Sequence, residues 1–268
     1  MPAKNAGQAD WDGALTLPTL PFTGERIVPG QVSESLFRAH EARYVFAGSF
    51  VKDRVVLDVA CGTGIGTHYL LQAGARSCLG LDIDRAATDY ATAAYIGCQF
   101  AQCDAMNLCV PDSSIDVVVS FETIEHLRDQ LRFLSECKRV LRLGGILVCS
   151  TPNRTISRWA RQNMYHVHEF TVAEFRRALE TLFVDVRLLG QKSTNRLLYA
   201  GRGLLSRALH RLQLLDLAKS LFSWNSTPLA VRTEFGGMPA DSDNEIRTYH
   251  ATPLVQPYYI IAVARRPA

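Results

Sequence analysis

The segment Val55-Val56-Leu57-Asp58-Val59, running straight into Ala60-Cys61-Gly62-Thr63-Gly64-Ile65-Gly66, constrains the fold more than any other part of the chain. A short apolar run reads as a buried strand. Small residues directly after it let the backbone turn tightly into a helix whose first N–H groups face a ligand. The spacing of the glycines narrows the ligand. After Gly62 and Gly64 the third glycine is Gly66, whereas the dinucleotide fingerprint G-x-G-x-x-G requires one at position 67, which is Thr67. The pattern G-x-x-x-x-G-K-[ST] is also missing, which argues against an NTP phosphate loop.

The rest of the chain continues the alternation that this unit begins. Val55 to Val59, Cys78 to Leu81, Gln99 to Gln102, Ile115 to Ser120, Ile146 to Cys149, Val184 to Leu189 and Tyr258 to Val263 read as strands. Between them Gly66 to Ala73, Arg85 to Tyr95, Leu127 to Leu141 and Val172 to Leu182 read as helices, with a further helix within Ser33 to Phe50 ahead of the first strand. The fold expected is α/β: a seven-stranded, mostly parallel, doubly wound sheet whose ligand lies at the carboxyl ends of the strands. Residues 1–22, rich in Ala, Gly and Pro, are expected to be a flexible arm, and 23–268 one domain. About 65 residues separate the sixth strand from the seventh, too many for a bare connection, so 191–257 is expected to be a helical cap. Leu197, Leu198, Leu204, Leu205, Leu209 and Leu212 share a face there, opposite Arg196, Arg207, His210 and Arg211. A lid packed on the sheet is the preferred reading, and peripheral contact with an anionic membrane the other. Leu221, Phe222 and Trp224 fit either an oligomer interface or the core of the lid.

Composition excludes several classes. In a chain of 268 residues, 47% are apolar and 21% charged, the balance of a soluble globular protein. There is no apolar run of about 18 residues and no apolar signal core after Met1, so the cytoplasm is the expected location. Seven scattered cysteines without a C-x-x-C pair point to reduced thiols rather than a disulfide framework or a zinc site. The net charge of +3 is uneven: residues 1–150 carry 13 Lys+Arg against 17 Asp+Glu, and residues 151–268 carry 16 against 9. The basic second part suits an anionic substrate or surface, or is simply a solvated face.

Two acids follow the glycine turn. Asp82 ends the second strand, where a carboxylate can accept both hydroxyls of a ribose, and Asp104 follows the third, where an adenine edge would come. With Leu143-Gly144-Gly145 these segments resemble the class I S-adenosylmethionine-dependent methyltransferases over roughly residues 35 to 190 and the last strand. The resemblance implies a Rossmann-like methyltransferase sheet, with Asp58, Ala60, Gly62 and Gly64 around the methionine moiety. It also implies Asp82 at the ribose, Asp104 and Ala105 at the adenine, and Ile83 and Phe121 among the cofactor-binding residues. Ala60 stands where the family has the first glycine of its loop and keeps the small size.

Ser120-Phe121-Glu122-Thr123-Ile124-Glu125-His126 ends the fourth strand. If a helix starts near Glu122, then Glu122, Glu125 and His126 fall at i, i+3 and i+4 on one face, a hard-cation site with an imidazole arm. The other reading is a helix start whose acids suit the dipole, with His126 a lone general base. The segment resembles a subgroup that includes the ubiquinone-biosynthesis O-methyltransferases and the small-RNA 3′-end 2′-O-methyltransferases. In that subgroup a magnesium-type ion (Mg2+, or Mn2+) is bound and a further histidine follows, here His166 or, less favoured, His168. Similar actinobacterial enzymes act on sugars and polysaccharides and share Thr23-Gly24-Glu25-Arg26-Ile27-Val28-Pro29 and a helix with Arg38, His40 and Arg43. By that resemblance Arg43 holds the methionine carboxylate; on its own, position 43 reads as surface.

The expectation is therefore a metal-assisted O-methyltransferase, with Glu122, His126 and His166 catalytic and Glu122, Glu125, His126 and His166 on the metal. Its acceptor is a hydroxyl of a small molecule, sugar or glycan. Its rivals are an N-methyltransferase, which needs no metal, an RNA 2′-O-methyltransferase, and a non-catalytic cofactor-binding scaffold. A nucleic-acid partner is disfavoured because it would want a larger basic groove.

Overall fold

The apolar runs assemble into a single sheet. A computed structural model of the chain describes residues 20, 26–28, 31–158, 163–195, 246–248 and 255–268. The expected arm, apart from Leu20, and nearly all of the expected cap, with Leu221, Phe222 and Trp224, lie outside them. Leu20 is buried and receives a hydrogen bond from Gln31 on its carbonyl.

The strands are β1 (Val55–Val59), β2 (Ser77–Asp82), β3 (Gln99–Gln102), β4 (Ile115–Phe121), β5 (Leu141–Pro152), β6 (Val184–Asn195), β7 (Arg247–Thr248) and β8 (Val255–Arg265). The helices are α1 (Glu34–Gly48), α2 (Ile65–Gln72), α3 (Arg85–Ala94), α4 (Gln130–Val140), α5 (Arg154–Ser157) and α6 (Val172–Glu180). The sheet order is β3-β2-β1-β4-β5-β8-β6-β7. Pairing is parallel from β3 to β5, and β8 runs antiparallel to both β5 and β6. The expected seven strands are thus present and mostly parallel, with the two-residue β7 added at the edge of β6. None of the helices described is long and apolar enough to cross a membrane.

Both faces of the sheet are covered, which is why β1 and β4 read as mainly apolar runs, interrupted only by Asp58, Asp116 and Ser120. Successive β1 residues go to opposite sides: Val56 packs with Tyr44 of α1 and Leu70 of α2, and Leu57 with Phe133 of α4 and Phe175 of α6. Each such side chain, 0–2% exposed, contributes roughly 1.5–3 kcal/mol by burial. Parallel pairing sets the carboxyl ends of β1, β2, β3 and β4 side by side, and the site grows there.

Candidate active site

The glycine turn is shaped by what packs against it. Gly64 has φ 80, and a Cβ on it would lie 2.6 Å from Ala91 of α3 and 2.8 Å from the Phe100 ring. A Cβ on Gly66 would lie 1.9 Å from the Tyr44 ring. The third glycine therefore stands at 66 because α1 crosses α2 there, while Thr67 points its hydroxyl at Asp58 Oδ2, 2.6 Å away. Tyr44 donates to the same carboxylate at 3.1 Å. Asp58 is 0% exposed, and burial pushes its carboxyl up to about 7 despite these two donors. Asp58 thus holds α1 and α2 against the turn. Ala60 takes φ 60, the left-handed backbone that a glycine adopts without cost.

Asp82 has one oxygen on the Gly62 N–H at 2.8 Å and the other on the Asp84 N–H at 2.9 Å, so the same carboxylate ties β2 to the turn. Ile83 beside it is 68% exposed, an apolar surface at a strand end. Asp104 accepts the Met106 N–H at 2.8 Å and with Ala105 forms the turn after β3, the strand adjacent to β2. The expected set Asp82, Ile83, Asp104 and Ala105 is therefore brought onto neighbouring strand ends. Phe121 is different: its ring is buried and meets Tyr44 edge-on at 5.0 Å, forming the wall behind the turn. Arg26 pairs with Asp84, and Thr63 donates to the Ile27 carbonyl at 3.1 Å, so this short N-terminal piece lies across the turn.

Arg43 corrects the surface reading, for it is 1% exposed. Its guanidinium donates to Gln191 Oε1 at 3.0 Å, lies 3.3 Å from His40 Nδ1 and 3.8 Å from Glu122 Oε1, and sits 4.5 Å from the centre of the Tyr259 ring. Desolvation, with Arg43 alongside, drives His40 down to about 3, so it stays neutral. Arg43 Nε is buried with no hydrogen-bond partner, a donor suited to an anionic ligand group. No local pattern in the sequence exposes this cluster, because Gln191 is 148 residues from Arg43.

The Glu-x-x-Glu-His segment is not helical as expected, so the i, i+3, i+4 argument fails. Glu122 has φ 52, only Ile124–His126 form a turn, a 3-10 one, and Leu127 is extended. α4 starts later, at Gln130, because Asp129 caps it by accepting the Arg132 N–H. Ligand atoms of Glu125, His126 and His166 nonetheless lie within 4.8 Å of one another. Glu122 is not in this group; it receives the Ser150 hydroxyl at 2.6 Å and faces Arg43. His168 also stands apart, edge-on to Phe170 at 5.2 Å.

Glu125 is 0% exposed, accepts Thr151 Oγ1 on Oε2 at 3.1 Å, and leaves Oε1 without a partner. Burial, reinforced by Glu122, pushes its carboxyl well above the ordinary range. His126 Nδ1 lies 3.2 Å from the Tyr165 carbonyl, which can only accept, so the proton is on Nδ1 and Nε2 is the basic nitrogen, 4.0 Å from Glu125 Oε1. His166 Nδ1 lies 2.5 Å from Glu169 Oε1, and Asn163 contacts His166 Nε2 at 2.9 Å. Val167 and His168 donate their N–H groups to the Glu125 carbonyl, which locks the histidine loop onto the 3-10 turn. Glu169 is a site residue that the sequence reading missed, although an acid three positions after a histidine was the available signal.

Comparison with known proteins bears on the family. A family model described as a methyltransferase domain matches residues 57–149. A Mycolicibacterium smegmatis protein named "Probable S-adenosylmethionine-dependent methyltransferase" is 41% identical over 181 residues, 66% of this chain and 70% of its own length. A ubiquinone biosynthesis O-methyltransferase of Cereibacter sphaeroides is 31% identical over 103 residues, 37% of this chain and 41% of its own. The solved structure of an S-adenosylmethionine-dependent methyltransferase from Archaeoglobus fulgidus covers 87% of this chain and 95% of that one, with TM-score 0.56 and 18% identity. With a glycine turn of this form, acids on the next two strand ends and a relative that similar over most of its length, the chain belongs to the S-adenosylmethionine-dependent methyltransferases.

Proposed function

We propose that the protein is a divalent-metal-assisted O-methyltransferase acting on a hydroxyl of a sugar, glycan or related natural product. The observation that carries this reading is the convergence of Glu125, His126 and His166, with Glu125 Oε1 buried and unpartnered beside the basic nitrogen of His126. A buried carboxylate oxygen without a donor is expensive unless a cation completes it. One carboxylate and two imidazoles fit a first-row divalent ion, and imidazole donors favour Mn2+ over Mg2+. The His166–Glu169 contact is the kind of outer carboxylate that orients a ligating imidazole. Resemblance to enzymes of sugars and polysaccharides, and the basic second part of the chain, support the polyhydroxylated acceptor.

Bound S-adenosylmethionine supplies a methyl sulfonium, and a bound cation supplies the Lewis acidity that lowers the pKa of the acceptor hydroxyl. The chain's own residues do the rest. The glycine turn, Asp82 and Asp104 receive the nucleoside, and the orphaned Nε of Arg43 receives the methionine carboxylate. Holding the two reactants in line accounts for much of the rate. The bond from carbon to sulfur breaks, its electron pair staying on the sulfur of the departing S-adenosylhomocysteine, as the bond from carbon to the acceptor oxygen forms and the hydroxyl proton is lost to solvent. With no cation bound, His126 Nε2 is the group that takes the hydroxyl proton, worth roughly 10²–10⁴-fold.

Turnover on a panel of sugar acceptors, followed by product mass, tests this in the chelator-treated protein and after adding back Mn2+ or Mg2+. Activity should fall on chelation and return with Mn2+ at lower concentration than with Mg2+. Glu125→Gln should lower metal affinity and activity by at least about 10- to 100-fold. Undiminished turnover after chelation would overturn the metal and leave His126 as the base.

A further inference from the structure

Four of the seven cysteines, Cys61, Cys78, Cys137 and Cys149, are buried core residues. Cys103 and Cys109 are not: the first is half-buried, the second exposed, and the turn after β3 folds them together. The Cys109 N–H donates to Cys103 Sγ at 2.9 Å, and Cys103 Sγ also lies 3.8 Å from the Asp104 carbonyl and 3.6 Å from that of Asn107. Between them runs the turn of Asp104 and Ala105, closed by Asn107 N–H on the Asp104 carbonyl. We propose that Cys103 and Cys109 are a thiol pair that a small disulfide oxidises to an intramolecular disulfide, and that closing it weakens cofactor binding at the Asp104 turn. The second half of the proposal rests on the placement of adenine at Asp104 and Ala105.

The order of steps follows from exposure. Burial and the adjacent Cys109 thiol push Cys103 up to about 11, so it is the poorer first nucleophile. Cys109 as thiolate attacks one sulfur of the small disulfide, forming a mixed disulfide and releasing one thiol. Cys103 then loses its proton and attacks the Cys109 sulfur, forming the internal bond and releasing the second thiol. Two protein thiols are oxidised, and one small disulfide is reduced to two thiols.

The consequence for the site is mechanical. The limb from Met106 to Val110 is pinned to α4, with Arg132 on the Met106 carbonyl, Glu136 on the Leu108 N–H, and Arg139 on the Leu108 and Val110 carbonyls. Closing the bond must bring the two sulfurs to about 2.05 Å, and because the Met106–Val110 limb is pinned, the movement this takes falls on the limb of Cys103 and Asp104. That limb carries the carboxylate that orders Met106.

The test treats the full chain with glutathione disulfide and quenches free thiols with an alkylating reagent. Peptide mapping locates the bond, and titration with S-adenosylhomocysteine reads the affinity. The expected result is loss of two free thiols, a Cys103–Cys109 linked peptide, and affinity lower by about tenfold or more, restored by reductant. Cys109→Ser should bind as the reduced wild type does and be insensitive to the oxidant. Glutathione adducts alone, a different cysteine pair, or unchanged affinity in the linked protein would each overturn the proposal. Asp104→Ala, measured reduced, reports separately on the adenine placement. Affinity lost in that variant but kept in the oxidised wild type overturns the redox proposal alone; affinity kept in both overturns the placement as well.

Discussion

At the scale of single residues, the site depends on side chains whose role is fixed by a distant neighbour. Gly66 is the sharpest case, because the Tyr44 ring occupies the space where its Cβ would be, at 1.9 Å. Gly66→Ala must move Tyr44, and with it the hydroxyl that donates to Asp58. Overpacking costs about 1–3 kcal/mol, and losing a hydrogen bond to a charged or buried group costs about as much again. The variant should lose on the order of 3 kcal/mol in a urea melt and bind S-adenosylhomocysteine poorly; a melt within experimental scatter of the wild type would refute the packing account. The glycine spacing and the acids Asp82 and Asp104 were legible because they sit within a few residues of recognisable strands, whereas Asp58 was reached through resemblance. Arg43 was legible only through resemblance. Nothing near position 43 in the chain signals burial, and its partner Gln191 arrives from β6. Thr151 escaped for the same reason, since it acts on Glu125, a side chain supplied by another segment; Glu169 is only three residues from His166, so its local spacing was there to be read.

Among the elements, the periodic ones were readable and the short one was not. β1 to β4 and α6 fall within a residue or two of their expected bounds, because a strand buried on both faces reads as a short apolar run and a helix buried on one face writes a period of 3.6 into the sequence. Glu122–His126 obeys neither period. A left-handed residue and one 3-10 turn bring Glu125 and His126 into position, and such a turn is too short to show periodicity. α6 illustrates a start signal that works. Thr171 accepts the Glu174 N–H and Glu174 accepts the Thr171 N–H, a reciprocal cap on the helix that follows the histidine loop. Thr171→Ala should cost about 1 kcal/mol, seen as a lowered melting temperature. Because Arg154 also pairs with Glu174, the variant should retain the fold and its cofactor affinity. Loss of cofactor affinity in the folded variant would show that α6 does more than cover the sheet.

For the molecule as a whole, the parallel order gathers the glycine turn, the strand-end acids and the histidine group at one end of the sheet, and it also buries ionisable groups with opposite proton preferences. Asp58 is raised from 3.8 to about 7, so its stabilising contribution is complete below its unfolded value and is lost as pH rises towards 7. His40 is lowered from 6.5 to about 3, so its contribution is complete above 6.5 and is lost as pH falls towards 3. Between about pH 4 and 6.5 the two slopes have opposite signs and largely cancel in the wild type. Removing one of them exposes the other. Relative to wild type, Asp58→Asn should gain stability as pH rises from 4 to 7, because only the wild type then loses the Asp58 contribution. His40→Gln should gain relative stability as pH falls from 6.5 to 3. Each slope approaches at most about 1.4 kcal/mol per pH unit, and differences against wild type remove the terms of Glu125 and every other group common to both chains. Urea melts of the three proteins across this range measure both slopes, and curves that stay parallel would mean that neither group titrates in the folded state as its burial requires.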